Sequence, residues 1–290
     1  MLVDTQWLAD HEDDEMVVPV DMRWRGDGSG RELYDAGHIP GAVHLDWSTD
    51  LIDPQNPVAF MLASPERFAE VMERSGIGDH NTVVTYSDQE GSGPHRLWWA
   101  SRVYGHDNVH VLDGGLEKWV REGRSLTSDP PPARSASWTP RATRRYVATA
   151  ADVEYATGRP DVVVLDSRPP EQFRGEAVWF ETGPVAAGPD GVAHTPRGDI
   201  RGGRIPGAVN VPAASLYRPD STMKRPEELR ALLSEAGLIP GCGAITYCGV
   251  GLSASALLFA MHIAGYEDAS LYDASWEEWG RDENRPAIRD

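Results

Sequence analysis

The stretch His38-Ile39-Pro40-Gly41-Ala42-Val43-His44 returns later in the chain as Arg204-Ile205-Pro206-Gly207-Ala208-Val209-Asn210. Upstream of each copy stands a β-branched run ending in an acid. These runs are Val17-Val18-Pro19-Val20-Asp21-Met22-Arg23 and Val162-Val163-Val164-Leu165-Asp166-Ser167-Arg168. Downstream, Ser64-Pro65-Glu66-Arg67-Phe68 and Arg225-Pro226-Glu227-Glu228-Leu229 each open a helical pattern with proline in its first turn. Further on, Val111-Leu112-Asp113 is answered by Leu271-Tyr272-Asp273 and Trp119 by Trp279, with Asp113 and Trp119 each 160 residues before its counterpart. Repetition on this scale predicts two homologous domains.

The join between them is visible. Ser128-Asp129-Pro130-Pro131-Pro132-Ala133-Arg134-Ser135 is proline-rich and aperiodic, as a stiff surface linker is. The expected division is a first domain over 1–125, a linker over 126–145 and a second domain over 146–290. The copies differ by an insertion: Asp21 and Ile39 are 18 positions apart, Asp166 and Ile205 are 39 apart. The extra residues, within 175–203, hold Gly183-Pro184, Gly188-Pro189-Asp190-Gly191 and Thr195-Pro196-Arg197-Gly198. They read as a long turn-rich loop.

Within each copy, short β-branched runs (17–20, 83–85, 109–112; 162–165, 244–247, 269–271) alternate with helical patterns (65–74, 95–104, 116–121; 226–236, 253–264, 276–281). Continuous apolar strands alternating with helices predict the α/β class, each domain a mostly parallel sheet flanked by helices. Ligands of such sheets bind beyond the carboxyl ends of the strands.

Composition narrows the function. The 290 residues are 40% apolar and 25% charged, an ordinary globular mix. No apolar run approaches the roughly 18–20 residues of a bilayer span, and Met1-Leu2-Val3-Asp4 does not open a secretory signal. With 27 Lys+Arg against 45 Asp+Glu the net charge is −18, which repels phosphate backbones and argues against a nucleic-acid partner. The two cysteines, Cys242 and Cys248, are too few for a disulfide framework or a structural zinc site. Along one extended segment they stand roughly 20 Å apart, beyond disulfide reach. A reduced cytoplasmic protein, binding neither membrane nor nucleic acid, is the expectation.

One strand end carries chemistry. Ala244-Ile245-Thr246-Tyr247 runs into Cys248-Gly249-Val250-Gly251-Leu252-Ser253-Ala254, and a helix follows that stops at Gly265. The glycines let the backbone curl with its N–H groups turned inward, and Ser253 is placed to cap the helix. Cys248 then faces backbone donors and the positive end of a helix, both of which favour an anionic sulfur, as thiolate or persulfide. A Cys-x5-Arg phosphatase would need arginine where Ala254 stands. Cys-His hydrolysis would need a histidine base, and none of the nine histidines recurs with this loop.

With Gly37-His38-Ile39-Pro40-Gly41-Ala42 and its second copy, Asp113-Gly114-Gly115 with Trp119, and the Cys248 loop, the chain resembles the tandem-domain rhodaneses over essentially its whole length. These are thiosulfate or 3-mercaptopyruvate sulfurtransferases. The resemblance implies a pair of parallel α/β domains with the reactive cysteine in the second. It implies ping-pong transfer: Cys248 takes the sulfane sulfur of a small anionic donor as a persulfide and passes it to cyanide or a thiol. The amides of Gly249, Val250, Gly251, Leu252, Ser253 and Ala254 would hold that persulfide. Neither an organic cofactor nor a metal is implied. The family places aspartate at the cysteine position of the first domain, and Asp88, 160 residues before Cys248, falls there. The first domain is expected to be catalytically silent, with the Asp88 carboxylate satisfying the loop's N–H groups.

The donor stays open between 3-mercaptopyruvate and thiosulfate. The loop has no cation, as in the mercaptopyruvate type, yet Val250 replaces that type's Ser or Thr. Of the two substrate-binding arginines of that type, the second matches Arg197 and the first falls on Gln172, with Arg174 two residues on as a substitute. Two other functions stand beside catalysis: a sulfur relay to a protein partner, and a non-catalytic interaction protein. Arg23 and Arg168 are expected in structural ion pairs, and His38 as a turn-stabilising hydrogen bonder. Trp98, Trp99, Trp119, Trp276 and Trp279 are expected in the core or at an interface, Cys242 as inert, and 12–15 as a solvated acidic run.

Overall fold

A computed structural model describes residues 1–88, 91–180 and 183–290. The chain divides into two units. The first comprises 1–54, 62–143 and 217–223, the second 55–61, 144–216 and 224–290.

In the first unit, β1 (Leu2–Val3), β2 (Val17–Asp21), β3 (Val43–His44), β4 (Thr82–Tyr86) and β5 (Val109–Leu112) form one sheet in the order β1-β5-β4-β2-β3. Every pairing is parallel. The helices are α1 (Thr5–Asp10), α2 (Gly30–Ala36), α3 (Pro65–Arg74), α4 (Gly93–Val103) and α5 (Gly115–Arg121). β2 is buried along its whole length, as a central parallel strand covered on both faces must be. Residues 130–142 form neither helix nor strand and lie along this unit. Asp79 N–H donates to Ser137 O, Arg141 N–H to Tyr104 O, and Trp138 sits against His106 and Phe68.

The second unit repeats the topology. Its strands are β6 (Val147–Ala148), β7 (Val162–Asp166), β12 (Val209–Asn210), β13 (Gly243–Tyr247) and β14 (Ala269–Tyr272), in the all-parallel order β12-β7-β13-β14-β6. Its helices are α6 (Ala150–Ala156), α7 (Pro170–Arg174), α8 (Pro226–Glu235), α9 (Leu252–Ala264) and α10 (Ser275–Trp279). No helix among the described residues is long and apolar enough to cross a membrane.

Two expectations change. The insertion is a pair of antiparallel hairpins, β8 (Ala177–Phe180) with β9 (Gly183–Ala186) and β10 (Val192–Thr195) with β11 (Gly198–Arg201). Val178, Ala193 and Ile200 join the core cluster of Trp276 and Trp279, which gives the hairpins an apolar anchor. Isolated turn dipeptides do not reveal this burial. Glu181 and Thr182 of the insertion lie outside the described residues. Next, α9 begins one residue early, capped by Gly251 in the left-handed conformation (φ +76°), so Ser253 is inside the first turn and is not the cap.

The conserved geometry of both repeats explains their recurring motifs. Arg23 grips Asp21 through Nε and Nη2 and donates from Nη2 to Gly37 O at 2.7 Å. Arg168 grips Asp166 in the same way and donates to Gly203 O at 2.7 Å. Both pairs are almost completely buried, with opposite charges matched and each carboxylate held through Nε and Nη2. His38 stacks on Tyr34, with Nδ1 2.8 Å from Tyr34 O and Nε2 3.1 Å from Asp129 O. Trp98, Trp99, Trp119, Trp276 and Trp279 are all buried in the core.

Candidate active site

β13 lies between β7 and β14, and its carboxyl end delivers Tyr247 and then Cys248 to the head of α9. Tyr247 is anchored on the repeated turn, its Oη accepting the Ile205 N–H at 3.2 Å. Beneath it lies the Arg168 guanidinium, 4.6 Å above the Trp276 ring. Burial pulls the Arg168 pKa down, and the Asp166 carboxylate more than reverses this, so the net direction is up.

Cys248 is 2% exposed. Its N–H donates to Ser275 Oγ at 3.1 Å, and its carbonyl accepts from Trp276 N–H at 3.0 Å. The Gly249 carbonyl accepts from Glu277 N–H at 2.9 Å. The first turn of α10 thus holds the loop by the Cys248 N–H and by the carbonyls of Cys248 and Gly249. Among the described residues, the N–H groups of Gly249, Val250 and Leu252 have no acceptor. With the start of α9 behind them, these amides are available to an anion. Ser253 Oγ lies 2.9 Å from Ser167 Oγ, which also reaches Tyr247 O.

Comparing the two repeats residue by residue corrects one expectation. Tyr86 Oη accepts the Ile39 N–H as Tyr247 Oη accepts that of Ile205. Leu116 N–H donates to Ser87 O as Trp276 N–H does to Cys248 O. The first unit's equivalent of Cys248 is therefore Ser87, and Asp88 corresponds to Gly249. One residue is gained between the strand end and the following helix, so the 160-residue offset does not hold here. The Asp88 carboxylate is gripped by Arg25, with Oδ2 2.6 Å from Nη2, in place of the loop amides expected. Gln89 and Glu90 of that loop lie outside the described residues.

The arginines differ in placement. Arg197 follows β10, with Nη2 3.3 Å from Pro57 O and Nε 3.9 Å from Glu277 Oε1. Glu277 is also held by Arg281 at 2.9 Å, so the residue whose N–H holds Gly249 carries two cations on its carboxylate. Arg174, at the end of α7, is turned to solvent and engages Glu176 through Nε and Nη2. Gln172 is buried. Cys242 is partly buried, its Sγ 3.9 Å from Pro160 O. Among the described residues, no group of three or more His, Cys, Asp or Glu side chains could hold a metal ion.

Sequence reading missed Ser275, Trp179 and Glu277. Ser275 has φ +51°, where the first unit has Gly115 at +53°: a serine in a glycine's conformation. That exchange was the one available signal. Trp179 on β8 lies against Gly249, a contact that depends on the insertion folding back as a hairpin.

The rhodanese-like domain family matches residues 4–122 and 149–282. The chain is 34% identical over 293 residues to a protein of Thermus thermophilus named sulfur carrier protein TtuD, covering 97% of this chain and 93% of that one. It is 31% identical over 286 residues to the 3-mercaptopyruvate sulfurtransferase of Escherichia coli, covering 96% and 94%. The crystal structure of SseA from Escherichia coli, described as a 3-mercaptopyruvate sulfotransferase, matches with a TM-score of 0.81 at 29% identity, over 95% of this chain and 98% of that one. The chain belongs to the rhodanese-like sulfurtransferase family, as a member with two such domains in tandem.

Proposed function

We propose that the protein moves a sulfane sulfur from a small anionic donor to a thiophilic acceptor through a persulfide on Cys248. The observation that carries this reading is the set of unpartnered loop amides that follow a buried cysteine, in the one repeat that has a thiol at this position. The Cys248 thiolate attacks the donor's outer sulfur. With 3-mercaptopyruvate the C–S bond breaks and the electron pair leaves on the pyruvate enolate, which is protonated. With thiosulfate the S–S bond breaks and sulfite leaves. An acceptor thiolate or cyanide then attacks the terminal sulfur and releases Cys248 as thiolate, so the cycle needs no outside electrons. The loop amides stabilise whichever sulfur carries the charge.

Of the two donors, 3-mercaptopyruvate fits better: residues 249–254 bring no cation, and Arg197 borders the loop through Glu277. Arg197 takes the carboxylate in this reading, since Arg174 is committed to Glu176. The second unit carries the chemistry and the first supports it.

Mass spectrometry after donor treatment should find one added sulfur, on the Cys248 peptide alone, and Cys248→Ser should abolish turnover. A full rate in that variant would sink the assignment. Arg197→Ala should lower kcat/KM for 3-mercaptopyruvate about tenfold, in line with the roughly 1.5–3 kcal/mol of a hydrogen bond to a charged group at a half-exposed site. Faster thiosulfate turnover, with mercaptopyruvate kinetics untouched by the substitution, would reverse the donor preference. The relative named a sulfur carrier favours a second reading, relay to a protein acceptor. Its mark would be a stable persulfide with no turnover on small acceptors.

A further inference from the structure

Trp179 stands on β8, in the insertion that only the cysteine-bearing repeat contains. A Cβ built on Gly249 would lie 2.9 Å from Trp179 Cβ, 3.4 Å from its Cγ and 3.7 Å from its Cδ1. The side chain therefore lies directly on the residue that follows Cys248. Of the ring atoms, Cγ and Cδ1 lie nearest this position, and Cδ1 is bonded to Nε1, the one donor of the indole. Nε1 is shielded from solvent and has no hydrogen-bond partner among the described residues. Trp276 and Trp279 of the same unit donate theirs to Arg201 O and Pro286 O. A buried donor left without an acceptor is rare and costly, and in a native protein it asks for an explanation.

A ligand supplies one. We infer that Trp179 is a specificity-determining residue of this site: its indole N–H donates to the anionic oxygen of the sulfur donor, a carboxylate or sulfonate held against Cys248. This inference rests on the persulfide reading above. It also accounts for the buried Gln172 at the position where the resemblance expects an arginine. A neutral donor on the insertion takes over the task of a cation on α7. The ligand class is a small anion whose oxygen lies within a few bonds of its transferable sulfur.

The test is Trp179→Phe, which keeps the ring and removes the N–H. The KM of the true donor should rise about tenfold while kcat stays within twofold and the thermal midpoint does not fall. Whether the rise occurs with 3-mercaptopyruvate or with thiosulfate tells carboxylate from sulfonate. Trp179→His, which restores an N–H in a smaller ring, should recover part of the loss. A second arm needs no sulfur transfer: the rates at which iodoacetate and iodoacetamide alkylate Cys248, read on its peptide. The Phe variant should slow iodoacetate about fivefold and leave iodoacetamide unchanged. Unchanged KM for both donors together with an unchanged alkylation ratio would overturn the inference, as would equal slowing by both reagents, which marks packing alone. If turnover proves independent of Cys248, the persulfide reading fails while the alkylation ratio still judges Trp179.

Discussion

Ser275 holds a left-handed conformation that costs an L-residue about 1–2 kcal/mol, and the first unit avoids this cost with Gly115. What the serine adds is its hydroxyl, which accepts the Cys248 N–H and donates to Tyr272 O at 2.8 Å. Strain kept beside a reactive group points to a positioning role. Ser275→Gly should therefore leave stability within about 1 kcal/mol, because relief of strain offsets the lost hydrogen bonds. Sulfur transfer should fall about tenfold, and a wild-type rate in a stably folded variant would show the hydroxyl to be dispensable. The corrected register supplies a second test. Ser87→Cys places a thiol at the equivalent strand end, but Met22 and Gly115 stand there for Ser167 and Ser275, and Asp88 for Gly249. Combined with Cys248→Ser, it should gain no donor-derived sulfur by mass spectrometry.

Among the elements, the insertion departs furthest from what its composition suggests. Its prolines and glycines do make turns, yet between them Val178, Ala193 and Ile200 are no more than 1% exposed. Ile200→Ala should accordingly cost about 2–4 kcal/mol in urea unfolding, as truncating a buried isoleucine does. A loss below about 0.5 kcal/mol would mean that the hairpins are an appendage. The regular helices were far more legible. The 65–74 pattern matches α3 to the residue, because Ser64 caps it by accepting the Arg67 N–H and Pro65 opens it. The two-residue edge strands β1, β3, β6 and β12 leave no periodic signal at all, since an alternation cannot be read from two residues.

At the scale of the whole molecule, the buried His95 and the half-buried His110 make stability depend on pH. Desolvation lowers the pKa of His95 to about 3 and that of His110 to about 4. In the unfolded chain both titrate near 6.5, so below that pH the unfolded state binds protons first. Stability is fully present above about pH 6.5 and is lost as pH falls toward these folded values. For the fully buried His95 the loss between pH 7 and pH 5 is about 2 kcal/mol. Denaturant unfolding at the two pH values should show it, and His95→Gln should narrow the difference. A stability independent of pH over that range would contradict the burial of His95.

Repeats, glycine turns and strand–helix alternation are local or periodic properties. They were enough to establish two parallel α/β domains and to bring Cys248 to a strand end at the head of a helix. They also foretold ion pairs for Arg23 and Arg168, whose partners Asp21 and Asp166 stand two residues away. Other features depend on segments far apart in the chain. The Ser275 hydroxyl meets the Cys248 N–H across 27 residues, and Trp179 reaches Gly249 across 70. Ser87 replaced Asp88 as the counterpart of the cysteine only when hydrogen bonds, not residue counts, aligned the repeats. Sequence spacing preserves register along a strand, but one residue gained in a loop is invisible until the sheet fixes which carbonyl meets which amide.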